Sequence, residues 1–196
     1  LKLLSGVARQ HFILLLAGRH LAPELFSQLC RAIENLFFCY IITRERTQIF
    51  ERNFALWSAD LRRVNEHKSL DRFIRQKFTS DLATRRPAFD FAFQQLTQDR
   101  IQQYRMRYVL AKLTQYIEQQ AWSNPAHANL DQYIAPTVNV EHILPQTPID
   151  EVRKRFDRKE QYDDYVKMLG NLTLLEKTIN TSVSNDLYEK KMLGYQ

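Results

Sequence analysis

Apolar residues recur at helical spacing, three or four positions apart, through most of the first 122 residues of the chain. In the stretch that opens at Pro23, Leu29 and Ile33 lie on one apolar face, and proline is favoured in the first turn of a helix. Residues 85–87, Arg-Arg-Pro, are expected to interrupt the pattern because proline disrupts a helix interior. The pattern predicts an N-terminal bundle of six helices, over 2–21, from Pro23 onward, and over 47–66, 69–80, 88–95 and 98–121.

The pattern changes after Trp122. Polar residues and prolines between 123 and 136 predict a connecting loop. Val138, Val140 and Ile143 lie among polar residues and predict a short strand, and Asn171–Leu175 predicts a second. Polar helices are predicted over 149–156, 159–169 and 184–192. The chain is therefore expected to be mainly α, with a helical region over 1–122 and a small second domain over 123–196.

Composition supports a folded, mainly helical protein. The 196 residues include only four glycines and six prolines, fewer than a many-turned β-sandwich or barrel needs. Hydrophobic residues make up 44% and charged residues 26%, which is ordinary for a globular domain. No uninterrupted apolar run approaches the ~18 residues of a membrane span, so no membrane partner is expected.

Positive charge is concentrated in the first part of the chain. Residues 1–135 hold 19 Lys and Arg against 12 Asp and Glu, whereas residues 136–196 hold nine against ten. A basic helical region beside a nearly neutral one is typical of a surface that binds a polyanion next to a site that needs its own carboxylates.

Cys30 and Cys39 are nine residues apart in one predicted helix. At about 1.5 Å per residue they are too far apart for a disulfide within a straight helix. Both have apolar neighbours, so we expect buried free thiols in the reducing cytoplasm.

Three separated pieces of the last sixty residues carry residues suited to chemistry. They are Glu141-His142-Ile143-Leu144-Pro145, Gly170-Asn171-Leu172-Thr173-Leu174-Leu175, and Asn180 followed by Asn185 and Lys190. His142 and Asn171 are 29 residues apart, and Asn180 follows Asn171 by nine. Phosphodiester hydrolysis needs a base that works near neutral pH, a task that suits imidazole, and a cation for which oxygen donors are suitable ligands.

This spacing resembles the ββα-metal, or HNH, nuclease motif, in which an acidic-His-Ile-x-Pro segment precedes an Asn-Leu segment. The resemblance implies a small ββα-metal nuclease domain after the helical bundle. It further implies that His142 is the general base and that Asn171 orients it. Glu141 and Asn180 are the implied ligands of a divalent cation, most naturally Mg²⁺ or Mn²⁺. Lys190 and Asn185, near the end of the motif, are implied substrate contacts.

Residues 170–175 with Asn180, Asn185 and Lys190 are also similar to the C-terminal domain of GmrSD-type modification-dependent restriction enzymes and related phage-defence proteins. The helical stretch resembles the middle region of that family through Glu34-Asn35-Leu36-Phe37 and the segment 104–110. The resemblance implies a DNA endonuclease whose N-terminal nucleotide-hydrolysing domain is missing here. Consistent with that, the chain begins at Leu1 and is expected to be a piece of a longer polypeptide.

Two other functions are kept open. One is a non-catalytic DNA-binding or interaction module, favoured by Glu141 and Asn180, where many HNH sites have Asp and His. The other is a nuclease that acts on RNA. Arg105 and Arg107 are candidate contacts to DNA phosphates, with a solvated helix face as the alternative for both. The oligomeric state is not fixed by the sequence, and a homodimer is left open.

Overall fold

The computed structural model describes residue 4 and residues 9–122, 130–183 and 188–195. The chain divides into two compact units, residues 1–95 and residues 96–196. Most of the described residues are helical, which confirms the prediction of a mainly α protein.

The first unit consists of consecutive helices. Pro23 begins its longest helix, and a capping box of Glu66 and Ser69 begins a later one, where Ser69 accepts a hydrogen bond from the backbone of Glu66. Arg44, with φ of 53°, makes the tight left-handed turn between the second and third helices. The elements are α1 (His11–Ala17), α2 (Pro23–Ile42), α3 (Thr47–Leu61), α4 (His67–Phe73), a π-helical turn (Ile74–Thr79) and α5 (Ser80–Gln94).

Helix α2 supplies much of the core of the first unit. Leu29, Ile33, Leu36 and Phe37 on its inner face are fully buried. By length and composition α2 could also cross a membrane, a criterion that the core helix of a soluble protein meets as well. The expected absence of a membrane partner therefore stays a prediction.

The two cysteines of α2 are free, as predicted. Cys39 is buried, whereas Cys30 is only half-buried. Burial is the main cause that raises the pKa of both thiols, so both are protonated at neutral pH.

An aromatic cluster fills the space between α2 and α3. The ring of Phe54 on α3 packs against Tyr40, Phe50 and Trp57, and its side chain is fully buried. We expect Phe54→Ala to lower the free energy of unfolding by about 3–5 kcal/mol, because the lost ring leaves a cavity. Denaturant unfolding measures this loss. Leu56→Ala is the control on the same helix, since Leu56 is 61% exposed, and its expected change is within about 0.5 kcal/mol. Equal losses in the two variants would contradict this packing.

Helix α5 runs through Pro87, so the predicted interruption at residues 85–87 is wrong. Arg85 holds this part of the helix in place, because its guanidinium pairs with Asp81 one turn earlier at 2.8 Å and with Glu45 outside the helix. Proline removes the hydrogen bond to the carbonyl four residues earlier. That residue, Ala83, is exposed, so water can satisfy its carbonyl.

The second unit contains a long helix, a two-stranded sheet and several short helices. Its elements are α6 (Gln103–Trp122), β1 (Val138–His142), α7 (Asp150–Arg155), α8 (Tyr162–Lys167), β2 (Leu172–Glu176), α9 (Lys177–Val183) and α10 (Tyr188–Tyr195). Short 3-10 helical segments lie at Leu130–Ile134, Lys159–Gln161 and Leu169–Asn171. Both predicted strands form. Ile143 lies just beyond the end of β1, and β2 is shifted by one residue from the predicted Asn171–Leu175.

The two strands pair antiparallel and present the motif at one end of the sheet. His142 at the end of β1 pairs with Leu172 at the start of β2, and Glu141 pairs with Thr173. Helix α9 follows β2 directly and packs on both strands. Helix α6 also packs against β2, so it belongs to the second unit, whereas the predicted domain boundary at 122/123 places it in the first. The functional assignment of those two domains stays a prediction.

A small apolar cluster supports the loop that follows β1. Val152 on α7 and Tyr162 and Val166 on α8 are buried together, and Leu144 and Phe156 pack against them. The Tyr162 hydroxyl donates a hydrogen bond of 2.8 Å to the carbonyl of Pro145. The loop is therefore fixed both by apolar packing and by a buried hydrogen bond.

Candidate functional site

His142 lies at the end of β1 and is almost fully buried, with 9% of its surface exposed. Its Nε2 donates a hydrogen bond of 2.6 Å to Oε1 of Gln98. Burial is the main cause that lowers the pKa of His142. The Glu141 carboxylate opposes this shift, and the Lys191 ammonium adds to it. The imidazole is therefore neutral at neutral pH, which is the form that can accept a proton.

The backbone around Gln98 is tied to the segment that leads to the second motif. The backbone amide of Gln98 donates to the carbonyl of Lys167 at 2.8 Å, and the backbone amide of Leu169 donates to the carbonyl of Leu96 at 3.3 Å. Thr97 and Met168 form an isolated antiparallel bridge between these two hydrogen bonds. Sequence patterns did not single out Gln98, because a glutamine 44 residues before the histidine belongs to no motif.

Asn171 joins the loop after His142 to the end of α8. Its Oδ1 accepts a hydrogen bond of 2.7 Å from the backbone amide of Leu144. Its Nδ2 donates to the carbonyls of Leu144 and Val166, each at 3.0 Å. The backbone carbonyl of Asn171 also accepts from the amide of Ile143 at 3.0 Å. Asn171 therefore holds the histidine-bearing loop in place, since an amide side chain donates and accepts at once.

Glu141 forms a buried ion pair with Lys191. The Nζ of Lys191 lies 2.6 Å from Oε1 of Glu141 and donates to the carbonyl of His142 at 2.9 Å. Lys191 is 1% exposed and Glu141 8% exposed. Each charge therefore has an opposite charge as its partner, which buried charges require.

Lys191 was missed by sequence reasoning, which singled out its neighbour Lys190. Lys190 lies exposed on α10. The apolar residues of this helix give no reliable register, because Tyr188, Met192 and Leu193 are all exposed. Nothing in the sequence therefore distinguishes the lysine that faces inward from the one that faces solvent.

Asn180 lies half-buried on α9, the helix that packs on both strands. Within the described residues, the hydrogen bonds of the site connect Glu141, His142 and Asn171 to other partners and do not include Asn180. Asn185 lies outside the described residues. The structure thus brings Glu141, His142 and Asn171 together and places Asn180 in the helix next to them.

In this arrangement the Glu141 carboxylate is not available to a divalent cation, because it is already paired with Lys191. The Lys191 ammonium already neutralises Glu141 and would repel a second cation at the same carboxylate. Over the described ranges, no group of three or more His, Cys, Asp or Glu side chains is placed to hold a metal. The roles of Glu141 and Asn180 as cation ligands therefore stay predictions.

The two candidate arginines of α6 differ in their surroundings. The Nη2 of Arg107 donates to the carbonyls of Ile134 and Ala135, at 3.1 and 3.0 Å, and so ties α6 to the segment before β1. These two bonds give Arg107 a structural role within the unit. The Nη1 of Arg105 donates to the Gln102 side chain at 2.8 Å on the surface, and its role as a phosphate contact stays a prediction.

Comparison with known families identifies the family of this chain. The family model of GmrSD restriction endonucleases, C-terminal domain, matches residues 83–196, which is more than half of the chain. The chain belongs to this family of restriction endonucleases, and the predicted resemblance is confirmed. Glu141, His142, Asn171 and Asn180 all lie within the matched region. Searches of curated proteins and of solved structures gave no match.

Proposed function

We propose that this chain is an endonuclease of the ββα (HNH) type that hydrolyses phosphodiester bonds in DNA with His142 as the general base. The observation that carries the proposal is the placement of His142. A neutral imidazole lies at the end of β1, which pairs antiparallel with β2, and helix α9 follows β2. Gln98 fixes the ring of His142, Asn171 fixes its loop, and Lys191 fixes its carbonyl. Membership in a restriction endonuclease family supports DNA as the substrate.

The proposed chemistry is a proton transfer coupled to attack on phosphorus. The imidazole of His142 takes a proton from a water molecule while the water oxygen forms a bond to phosphorus. The bond from phosphorus to the leaving oxygen breaks, and that oxygen takes a proton from solvent. The low pKa of His142 supports this role, because a protonated imidazole has no free electron pair.

The charge of the first unit supports binding of a polyanion. Residues 1–95 hold 15 Lys and Arg against nine Asp and Glu, whereas residues 96–196 hold 13 of each. The entire formal charge of +6 therefore lies in the first unit. Contacts from Lys and Arg to phosphates dominate the affinity for nucleic acid and weaken as salt rises. Arg105, Lys190 and Asn185 are proposed as further contacts to the substrate.

The divalent cation, Mg²⁺ or Mn²⁺, remains a proposal from the family resemblance. Such an ion neutralises charge on a scissile phosphate. Glu141 would have to separate from Lys191 before it could bind one. Cleavage assays in Mg²⁺, in Mn²⁺ and in EDTA test this requirement directly. The N-terminal nucleotide-hydrolysing domain, the homodimer and the cytoplasmic location are likewise proposals.

We expect His142→Ala to reduce plasmid nicking by about 10²–10⁴-fold, because the variant lacks the group that takes the proton from water. The assay follows the conversion of supercoiled to open-circular plasmid in each metal. His67→Ala is the matched control, since His67 is an exposed histidine on α4, and its rate is expected to equal that of the wild type. Equal nicking by wild type and His142→Ala would refute the role of His142.

The non-catalytic alternative has one observation in its favour, the Glu141–Lys191 ion pair that occupies the expected cation ligand. It predicts salt-dependent DNA binding without cleavage under any of the metal conditions. A nuclease specific for RNA would instead cleave RNA and leave DNA of the same sequence intact.

A further inference from the structure

We propose that Gln98 is a positioning residue that fixes the tautomer of His142, so that Nδ1 is the nitrogen that acts as the base. The inference deepens the proposed function and rests on it for its catalytic meaning. The hydrogen bond itself is a property of the folded chain and can be tested without any substrate.

One atom of each side chain takes part in this contact. Nε2 of His142 lies 2.6 Å from Oε1 of Gln98, which is a short hydrogen bond. An amide oxygen only accepts hydrogen bonds, so Nε2 must carry the proton. In a neutral imidazole the other nitrogen, Nδ1, then holds the free electron pair. The side chain of Gln98 thereby selects one of the two neutral forms.

The position of Gln98 is itself fixed. Its backbone amide donates to the carbonyl of Lys167 at 2.8 Å, one residue after the carbonyl of Val166, which accepts from Asn171. The same stretch, residues 166–171, therefore anchors both Gln98 and the side chain that holds the loop after His142. The imidazole ring of His142 and the loop after His142 are therefore held by the same segment, so the ring keeps its orientation relative to the backbone that carries it.

Loss of the acceptor should change the tautomer and the chemical step together. Without Oε1, Nε2 loses the acceptor that keeps it protonated, and the fraction of imidazole with a basic Nδ1 falls. Partners that orient a histidine in this way typically change activity by about 10–100-fold when they are removed. We expect kcat to fall by this factor in Gln98→Met and KM to stay unchanged, because methionine has a similar volume but no amide oxygen.

The experiment is ¹⁵N NMR of the whole chain labelled at its histidine rings, recorded near pH 8, well above the ordinary histidine pKa of about 6.5. The spectrum of His142→Ala identifies the signals of His142. We expect the wild type to show the Nε2–H form and Gln98→Met to show a mixture of both forms. Gln103→Met is the matched control, since Gln103 is an exposed glutamine at the start of α6, and we expect it to match the wild type in spectrum and kcat.

A wild-type signal from the Nδ1–H form would overturn the inference, even if Gln98→Met failed to fold. An unchanged tautomer and an unchanged kcat in folded Gln98→Met would overturn it as well. A different result would refute the proposed function, namely equal cleavage of DNA by the wild type and by His142→Ala. In that case the spectra still report whether Gln98 sets the tautomer, so the two failures are distinguishable.

Discussion

Replacement of Lys191 by methionine is expected to lower the free energy of unfolding by about 3–5 kcal/mol. Methionine fills the space of the lysine stem but leaves the buried Glu141 carboxylate without its partner at 2.6 Å. It also removes the donor to the carbonyl of His142. The cost is large because a charge that loses its partner inside a protein cannot recover the hydration it gave up on folding. Denaturant unfolding, with the transition followed by circular dichroism, measures the loss.

Lys190→Met is the matched control, because it makes the same chemical change one residue away on the exposed side of α10. Its expected effect is within about 0.5 kcal/mol. The double variant Glu141→Leu with Lys191→Met should be more stable than Lys191→Met alone, since it leaves no unpaired charge. Equal stability of Lys190→Met and Lys191→Met would show that the buried ion pair does not form.

Replacement of Asn171 by leucine is expected to cost about 2–4 kcal/mol, because it leaves up to three backbone groups without their partner. These are the amide and carbonyl of Leu144 and the carbonyl of Val166. Leucine has the same branched shape and the same number of heavy atoms as asparagine, so it leaves no cavity, and lost hydrogen bonds account for the effect. We also expect plasmid cleavage to fall by at least about tenfold in the fraction that stays folded, since the loop that carries His142 loses its fixed position.

Two further variants show whether the effect of Asn171→Leu comes from the lost hydrogen bonds. Gln146→Leu removes an exposed amide from the same loop and is expected to change neither stability nor cleavage. Asn171→Asp keeps the acceptor for the Leu144 amide but loses both donated bonds, so its stability should lie below that of the wild type. If Asn171→Leu unfolds at the same denaturant concentration as Gln146→Leu, the hydrogen bonds of Asn171 contribute nothing measurable.

The strands and the histidine-bearing loop could be predicted because their signals are local. Val138 and Val140 alternate with polar residues, and both strands form where this pattern places them. The spacing of His142 and Asn171 carried the family resemblance, and the structure brings the loop after His142 onto the Asn171 side chain. Short-range patterns and motif spacing were sufficient for this part of the site.

The rest could not be predicted because it depends on tertiary contacts. Gln98 reaches His142 because the segment before α6 pairs with residues 167–169. Lys191 is buried because of the orientation of α10, which its exposed apolar residues do not reveal. Helix α5 continues through Pro87, where Ala83 is exposed, and Arg85 in the same turn pairs with Asp81 and with Glu45, which lies 40 residues away in the chain. Local propensity cannot report such distant partners.

The double use of residues 166–171 constrains the length of the chain at that point. Lys167 receives the hydrogen bond from Gln98, and Asn171 reaches back to Val166 while it also holds Leu144. Inserting or deleting a single residue between Lys167 and Asn171 would shift Asn171 relative to the Lys167 and Val166 carbonyls, so the bonds of Gln98 and those of Asn171 could not all keep their present geometry. The length of this short connection therefore sets the distance between the Lys167 carbonyl and Asn171, and this spacing is a requirement of the fold of the second unit.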